Sequence, residues 1–176
     1  MSMKKTLRLT LWCLLVVLPA TAFTQIGIPG TRFSFNLNAD NWQYLRSFKA
    51  ADGADVHLYC YTGRILVEPS GDTALPNLRI YVNPHFDGDL YSLVYNRYLL
   101  QPYQSLGDYT RGLGLPATGG IGYKGGYTNP ADQKTYFFRM TYFADKKAAV
   151  EFRLETTQDT FSEMEPEFEA ILKTIK

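Results

Sequence analysis

TYFFRMTYFADKKAAVEFRLETTQDTFSEMEPEFEAILKTIK, residues 135–176, reads as strand, tight turn, strand and helix, and it decides the fold class. Side chains alternate across an extended chain, so Tyr136, Phe138, Met140 and Tyr142 share one side of the first strand. After the polar Ala144-Asp145-Lys146-Lys147 the alternation resumes with Ala148, Val150, Phe152, Leu154 and Thr156. Two such runs joined by a few polar residues predict a β-hairpin. The other face of the second strand, Ala149, Glu151, Arg153, Glu155 and Thr157, is expected to point outward, with Arg139 and Thr141 near Glu151 or Arg153 across the pair.

The period then changes from two to 3.6. Phe161, Met164, Phe168, Ile171, Leu172 and Ile175 make one helical stripe, with glutamates early and lysines late, as the helix dipole favours. Burying that stripe contributes roughly 10 kcal/mol as an upper bound. Thr160 and Glu163 have capping-box spacing. Pro166 fits only a first helical turn, which places the helix start near Glu165 or a kink after a short first turn.

Upstream, Lys4, Lys5 and Arg8 precede an apolar run at residues 9–18, followed by Pro19-Ala20-Thr21-Ala22. A basic start, a short apolar core and an Ala-x-Ala ending describe a secretory signal peptide, and the run is too short for a comfortable membrane span. Trp12 stands before Cys13, where a lipoprotein signal would want a small residue, so no lipid anchor is expected. Cleavage near Ala22 removes three of the 18 basic residues, leaving 15 against 17 acidic, a formal charge of −2. That balance gives no footprint for nucleic acid or an anionic membrane. Cys60 is then the remaining cysteine, so no intramolecular disulfide forms. The expected organisation is a signal peptide at 1–22, an entry segment at 23–32 and one domain at 33–176.

Within that domain, alternating strands are expected at 33–37, 42–49, 56–61 and 78–82, with residues 65–67 prolonging the third past a bulge at Gly63. Asp87 and Asp89 are N-cap candidates for a helix running to about Gln101, with Leu90, Leu93, Val94, Tyr98 and Leu100 as its apolar positions. A glycine-rich stretch at 112–126 follows a short strand. It has no phosphate-loop pattern, and it reads as a loop or irregular edge strand.

Val150-Glu151-Phe152-Arg153-Leu154, then Phe168, Ile171, Leu172 and Ile175 in a Phe-x-x-Ile-Leu-x-x-Ile pattern, resemble the closing strand and terminal helix of the Mog1/PsbP-like superfamily. The order of elements over residues 33–176 is similar as well. The resemblance implies an α+β protein, an α/β/α sandwich around a curved antiparallel sheet. It implies little about function: members include a luminal photosystem accessory protein and a nuclear import factor that binds a small GTPase. The superfamily also holds many exported bacterial proteins of unassigned role.

No catalytic, cofactor or metal motif stands out. Both histidines, His57 and His85, together with Asp87, offer nitrogen and carboxylate groups for a metal or a hydrolytic site, but without a ligand spacing to support it. Capping explains Asp87 and Asp89, and Cys60 shares a face with Val56 and Leu58 as a buried thiol would. The reading is an exported, non-enzymatic accessory or binding domain that meets an envelope protein or a small ligand. Its candidate surface is Tyr91, Tyr95, Gly119, Gly120, Tyr123 and Tyr127; the alternative is a small envelope hydrolase or metal-binding protein using His57, His85 and Asp87. Mass spectrometry of the exported protein is expected to find the N-terminus at Phe23, just after Ala22, or a few residues later at Gln25; an intact Met1 would contradict the signal-peptide reading.

Overall fold

The structure, a computed structural model, describes residues 23–84, 86–108 and 120–176. The signal sequence at 1–22, His85 and residues 109–119 lie outside the described residues. The elements are β1 (Phe23–Gly27), β2 (Ser34–Asn38), β3 (Trp42–Lys49), β4 (Asp55–Tyr61), β5 (Leu66–Val67), β6 (Thr73–Ala74), β7 (Asn77–Pro84), α1 (Leu90–Leu100), β8 (Gln104–Asp108), β9 (Ile121–Thr128), β10 (Thr135–Ala144), β11 (Ala148–Thr157) and α2 (Gln158–Leu172). Seven strands form one antiparallel sheet in the order β3-β4-β7-β11-β10-β9-β8, and β1–β2 and β5–β6 are separate hairpins. The fold is a mixed α+β one, mostly antiparallel sheet with two helices.

β11 lies at the centre of the sheet, and its alternation defines two faces. Val150, Phe152 and Leu154 join Leu78, Ile80 and Val82 of β7 on the first. Against them pack Phe35 and Leu37 of β2 and the stripe of α2. Phe161, Met164, Phe168, Ile171, Leu172 and Ile175 are all buried, as their spacing predicts. Phe35 meets Phe152 edge-on at 4.9 Å, and Phe33 meets Phe143 at 4.7 Å. The chain end is tied to β2 by two backbone bonds between Ser34 and Lys176, at 2.9 and 3.0 Å. Phe23–Gly27, read from the sequence as entry, pairs along β2 as β1.

The helix start differs from expectation. β11 runs without a loop into α2, which begins at Gln158 with Thr157 as its cap. The Thr160 hydroxyl lies 2.7 Å from that of Thr156 and 3.1 Å from that of Thr157, so Thr160 is inside the helix and not its cap. Pro166 therefore lies within α2, on the exposed side, where water can serve the Ser162 carbonyl that the proline cannot pair.

Residues 65–67 do not prolong the third strand. β4 ends at Tyr61, and Leu66–Val67 folds back on Thr73–Ala74. In the glycine-rich stretch, β9 pairs with β10 in unbroken register from Thr128 to Ile121. A Cβ on Gly125 would stand 2.5 Å from the Phe138 ring, and one on Gly126 2.6 Å from Phe137, so these glycines let aromatic rings lie across the strand.

Replacing the exposed Pro166 by Ala restores a helical N–H. The variant Pro166→Ala is expected to gain about 1–3 kcal/mol in urea denaturation, and a loss of stability would contradict a regular helix through this position.

Candidate functional site

The second face of the sheet carries Phe138, Met140 and Tyr142 of β10, paired in register with Glu155, Arg153 and Glu151 of β11. The charges of β11, expected outward, are buried: Glu151 and Glu155 are fully enclosed and Arg153 is 1% exposed. Arg139 and Thr141 lie opposite Leu154 and Phe152 and so face α2 instead, where Arg139 pairs with Glu165 and Glu169. The difference is one of register: each odd position of β10 lies opposite an even position of β11, so Arg139 and Thr141 cannot share a face with Glu151 and Arg153.

Buried ions need partners, because taking each out of water costs several kcal/mol. Arg97 of α1 supplies one set: its Nε donates to Glu151 Oε2 at 2.7 Å and its Nη1 to Asp52 Oδ2 at 2.7 Å. The guanidinium also lies 4.0 Å over the Tyr81 ring. Burial opposes the Arg97 charge, yet Glu151 and Asp52 outweigh it and hold the group above its ordinary value. Arg153 pairs with Glu151 at 3.0 Å and donates to Gln101 at 2.6 Å. Glu155 faces Arg79 at 3.0 Å and accepts from the Tyr127 hydroxyl at 3.2 Å. Burial, then Glu155, pushes the Tyr127 phenol upward; burial, then Glu151, does the same to Tyr142, whose buried hydroxyl meets no hydrogen-bonding partner.

This strip turns α1 over. Asp89 caps the helix as its sequence position predicts, accepting from the Ser92 amide at 2.9 Å. Only Leu93 and Arg97 are buried in it. Tyr98 and Leu100, expected inside, are 40% and 60% exposed. The exposed positions of α1 are Tyr91, Ser92, Tyr95, Asn96, Tyr98, Leu99 and Leu100, and none carries a charge. Tyr91 and Tyr95 stand most open, at 72% and 62%.

The other candidates divide. Tyr123 and Tyr127 turn inward, packing around Phe138, Met140 and Tyr142. Tyr127 stacks on Tyr136 at 5.7 Å and lines two cavities at the sheet surface. Gly120 is half-buried just before β9, while Gly119 lies outside the described residues. His57 is on the first face, beside Pro29, Phe48 and Lys49, its pKa lowered by burial against the pull of Asp55. Asp87 lies in the connection to α1 and no hydrogen bond or ion pair joins it to His57 among the described residues. His85 is outside them. No three His, Cys, Asp or Glu side chains among the described residues come together as a metal cluster. Cys60 is free, its thiol 3.6 Å from the Tyr61 carbonyl and pushed up by burial.

No family model matches the chain, and no curated protein matches it. Among solved structures the chain is similar to LpqN, involved in cell envelope biogenesis of Mycobacterium tuberculosis, at 14% identity over 88% of this chain and 90% of that one, with a TM-score of 0.49.

Glu151 holds two arginines at once. Glu151→Leu leaves Arg153 without its paired carboxylate and Arg97 with Asp52 alone, and is expected to cost about 3–5 kcal/mol in denaturant unfolding. Glu163→Gln, which removes the exposed pair with Arg64, is expected to cost under about 1 kcal/mol. Equal losses would mean that the strip does not hold the fold.

Proposed function

We propose that this protein is an exported, non-enzymatic accessory domain with an α/β/α sandwich of Mog1/PsbP type, and that it engages an envelope protein through the outer face of α1. The observation that carries this reading is the uncharged tyrosine and leucine surface of that helix. A helix on a sheet ordinarily shows charge to water and apolar residues to the core. Here the arginine is inside, and Tyr91, Tyr95, Leu99 and Leu100 are outside. Tyrosine offers large, rigid contact area with a polar tip and is enriched at protein interfaces. Leu106 of β8, 42% exposed, adds to the exposed apolar surface. The ionic groups of the strip are turned on one another and on Gln101, Tyr81 and Tyr127, which suits holding a helix better than meeting a substrate. Export is supported by the basic, apolar and Ala-x-Ala succession of residues 1–22.

A photo-crosslinking residue at position 95 is expected to capture an envelope protein that the same residue at Lys49, on edge strand β3 and on the opposite face of the sheet, does not. Tyr91→Ser with Tyr95→Ser is expected to abolish the capture made from position 99, with an unchanged unfolding midpoint. Capture that survives the double substitution, or that is the same from position 49, would refute an α1 partner surface.

A further inference from the structure

Beyond Arg153 the second face of the sheet ends in a small polar cavity of ≈ 170 Å³, between the β5–β6 hairpin and the ends of β7, β9, β10 and β11. Three side-chain oxygens of its lining are buried without a hydrogen bond: Glu68 Oε1, Asn77 Oδ1 and Glu155 Oε1. Asn77 and Glu155 are direct cross-strand partners, so their side chains start about 5 Å apart on one face. Glu68 reaches the same cavity from the hairpin, with 6% of its surface exposed.

The charged and phenolic donors beside these oxygens are already engaged, and the Thr157 hydroxyl, which helps to lower the Glu68 pKa, also meets Thr160 at 3.1 Å. Lys134 Nζ donates to Glu68 Oε2 at 2.7 Å and to Asp72 Oδ2 at 2.9 Å. The Tyr127 hydroxyl is given to Glu155 Oε2. Arg79 lies 3.0 Å from Glu155 Oε1 as an ion pair, without hydrogen-bond alignment. The connected charges are also unbalanced. Around the cavity the ion pairs set three carboxylates, Glu68, Glu155 and the largely exposed Asp72, against two cations, Arg79 and Lys134, while the group of Asp52, Arg97, Glu151 and Arg153 is separate and balanced. A buried acceptor without a donor costs about 1–3 kcal/mol, more when it is charged.

We propose that this cavity binds a primary ammonium group, a small monocation whose three N–H donors meet Glu68 Oε1, Asn77 Oδ1 and Glu155 Oε1. Such a group supplies what the oxygens lack, and its charge offsets the excess carboxylate around the cavity. The volume suits the ammonium end of a small amine. A quaternary ammonium has the charge and no N–H, so it leaves the oxygens unpaired. The source is either a soluble amine or the headgroup of an aminolipid, which share this chemistry. The site is separate from the α1 surface and stands whether or not that surface binds a protein.

The test titrates the purified protein with methylammonium, tetramethylammonium and potassium chlorides at constant ionic strength, following the thermal midpoint and the NMR signal of the Asn77 side-chain amide. Methylammonium is expected to give a saturable rise and shift, and the other two none. Glu68→Gln and Asn77→Leu are each expected to weaken the response about tenfold or more, with Tyr91→Ser unchanged. Where those variants fail to fold, the comparison of the three salts on the unaltered protein decides. Sedimentation with phosphatidylethanolamine vesicles, absent with phosphatidylcholine and competed by methylammonium, would assign a lipid headgroup; a response to the soluble amine alone would assign a free one. No saturable response to methylammonium, or an equal response to tetramethylammonium or potassium, would overturn the proposal.

Discussion

A charged row on the central strand of a sheet is the constraint that the rest of this structure answers to. Glu151, Arg153 and Glu155 alternate along β11 with no water to solvate them. Their Coulomb attraction is strong in a low dielectric, yet it offsets desolvation only where the geometry is good and further hydrogen bonds complete it. Neighbouring elements complete it here. β7 contributes Arg79, α1 contributes Arg97, and the residue after α1 contributes Gln101. The turn between β3 and β4 contributes Asp52, which holds Arg97 from its other side.

The two helices consequently dock by different physics. α2 is placed by area: five large apolar side chains in one stripe, with Ile175 just beyond them, settle against Val150, Phe152, Leu154 and Phe35 and Leu37 of β2. α1 is placed by charge. Its rotation about its own axis is set by Arg97, which has to reach Glu151 and Asp52 together, and Leu93 is the apolar residue buried beside it. Once Arg97 points inward, Tyr91, Tyr95, Leu99 and Leu100 have nowhere to go but out. The exposed face is therefore a consequence of the buried strip, and the two features have to be read together.

The sequence shows the first face plainly and hides the second. Apolar alternation in residues 148–156 and the 3.6 period after Phe161 identify the β10–β11–α2 unit, because apolar burial leaves a periodic trace. The cap at Asp89 is equally visible. The row Glu151, Arg153, Glu155 has the same period as a solvated face, and nothing local separates a buried, partnered charge from an exposed one. The partners at positions 52, 79 and 97 lie 54 or more residues away and are brought together only by sheet order. Glu68 and Asn77 fall in a loop and at a strand start, and they gain meaning only once Asn77 is seen in register with Glu155. Of the candidate surface, Tyr91 and Tyr95 stand open and Tyr123 and Tyr127 turn in. Helical spacing alone could not say which way Tyr91 and Tyr95 point, because which side of α1 faces the sheet depended on Arg97.

Stability alone does not explain why such a strip is kept. A well-packed apolar row in its place is commonly neutral or stabilising by 1–4 kcal/mol. An apolar β11 would, however, accept α1 in the ordinary orientation, with Tyr95 and Leu99 against the sheet and Arg97 in water. The uncharged outer face would vanish. At the far end of the strand Glu155 would vanish too, and with it one of the three unmatched oxygens carried by residues that line the polar cavity. The strip thus does what a hydrophobic row cannot: it sets the orientation of α1 at one end and leaves acceptors unmatched at the other. The proposed α1 partner surface and the proposed amine site rest on these two consequences, and both arise from the second face of the sheet.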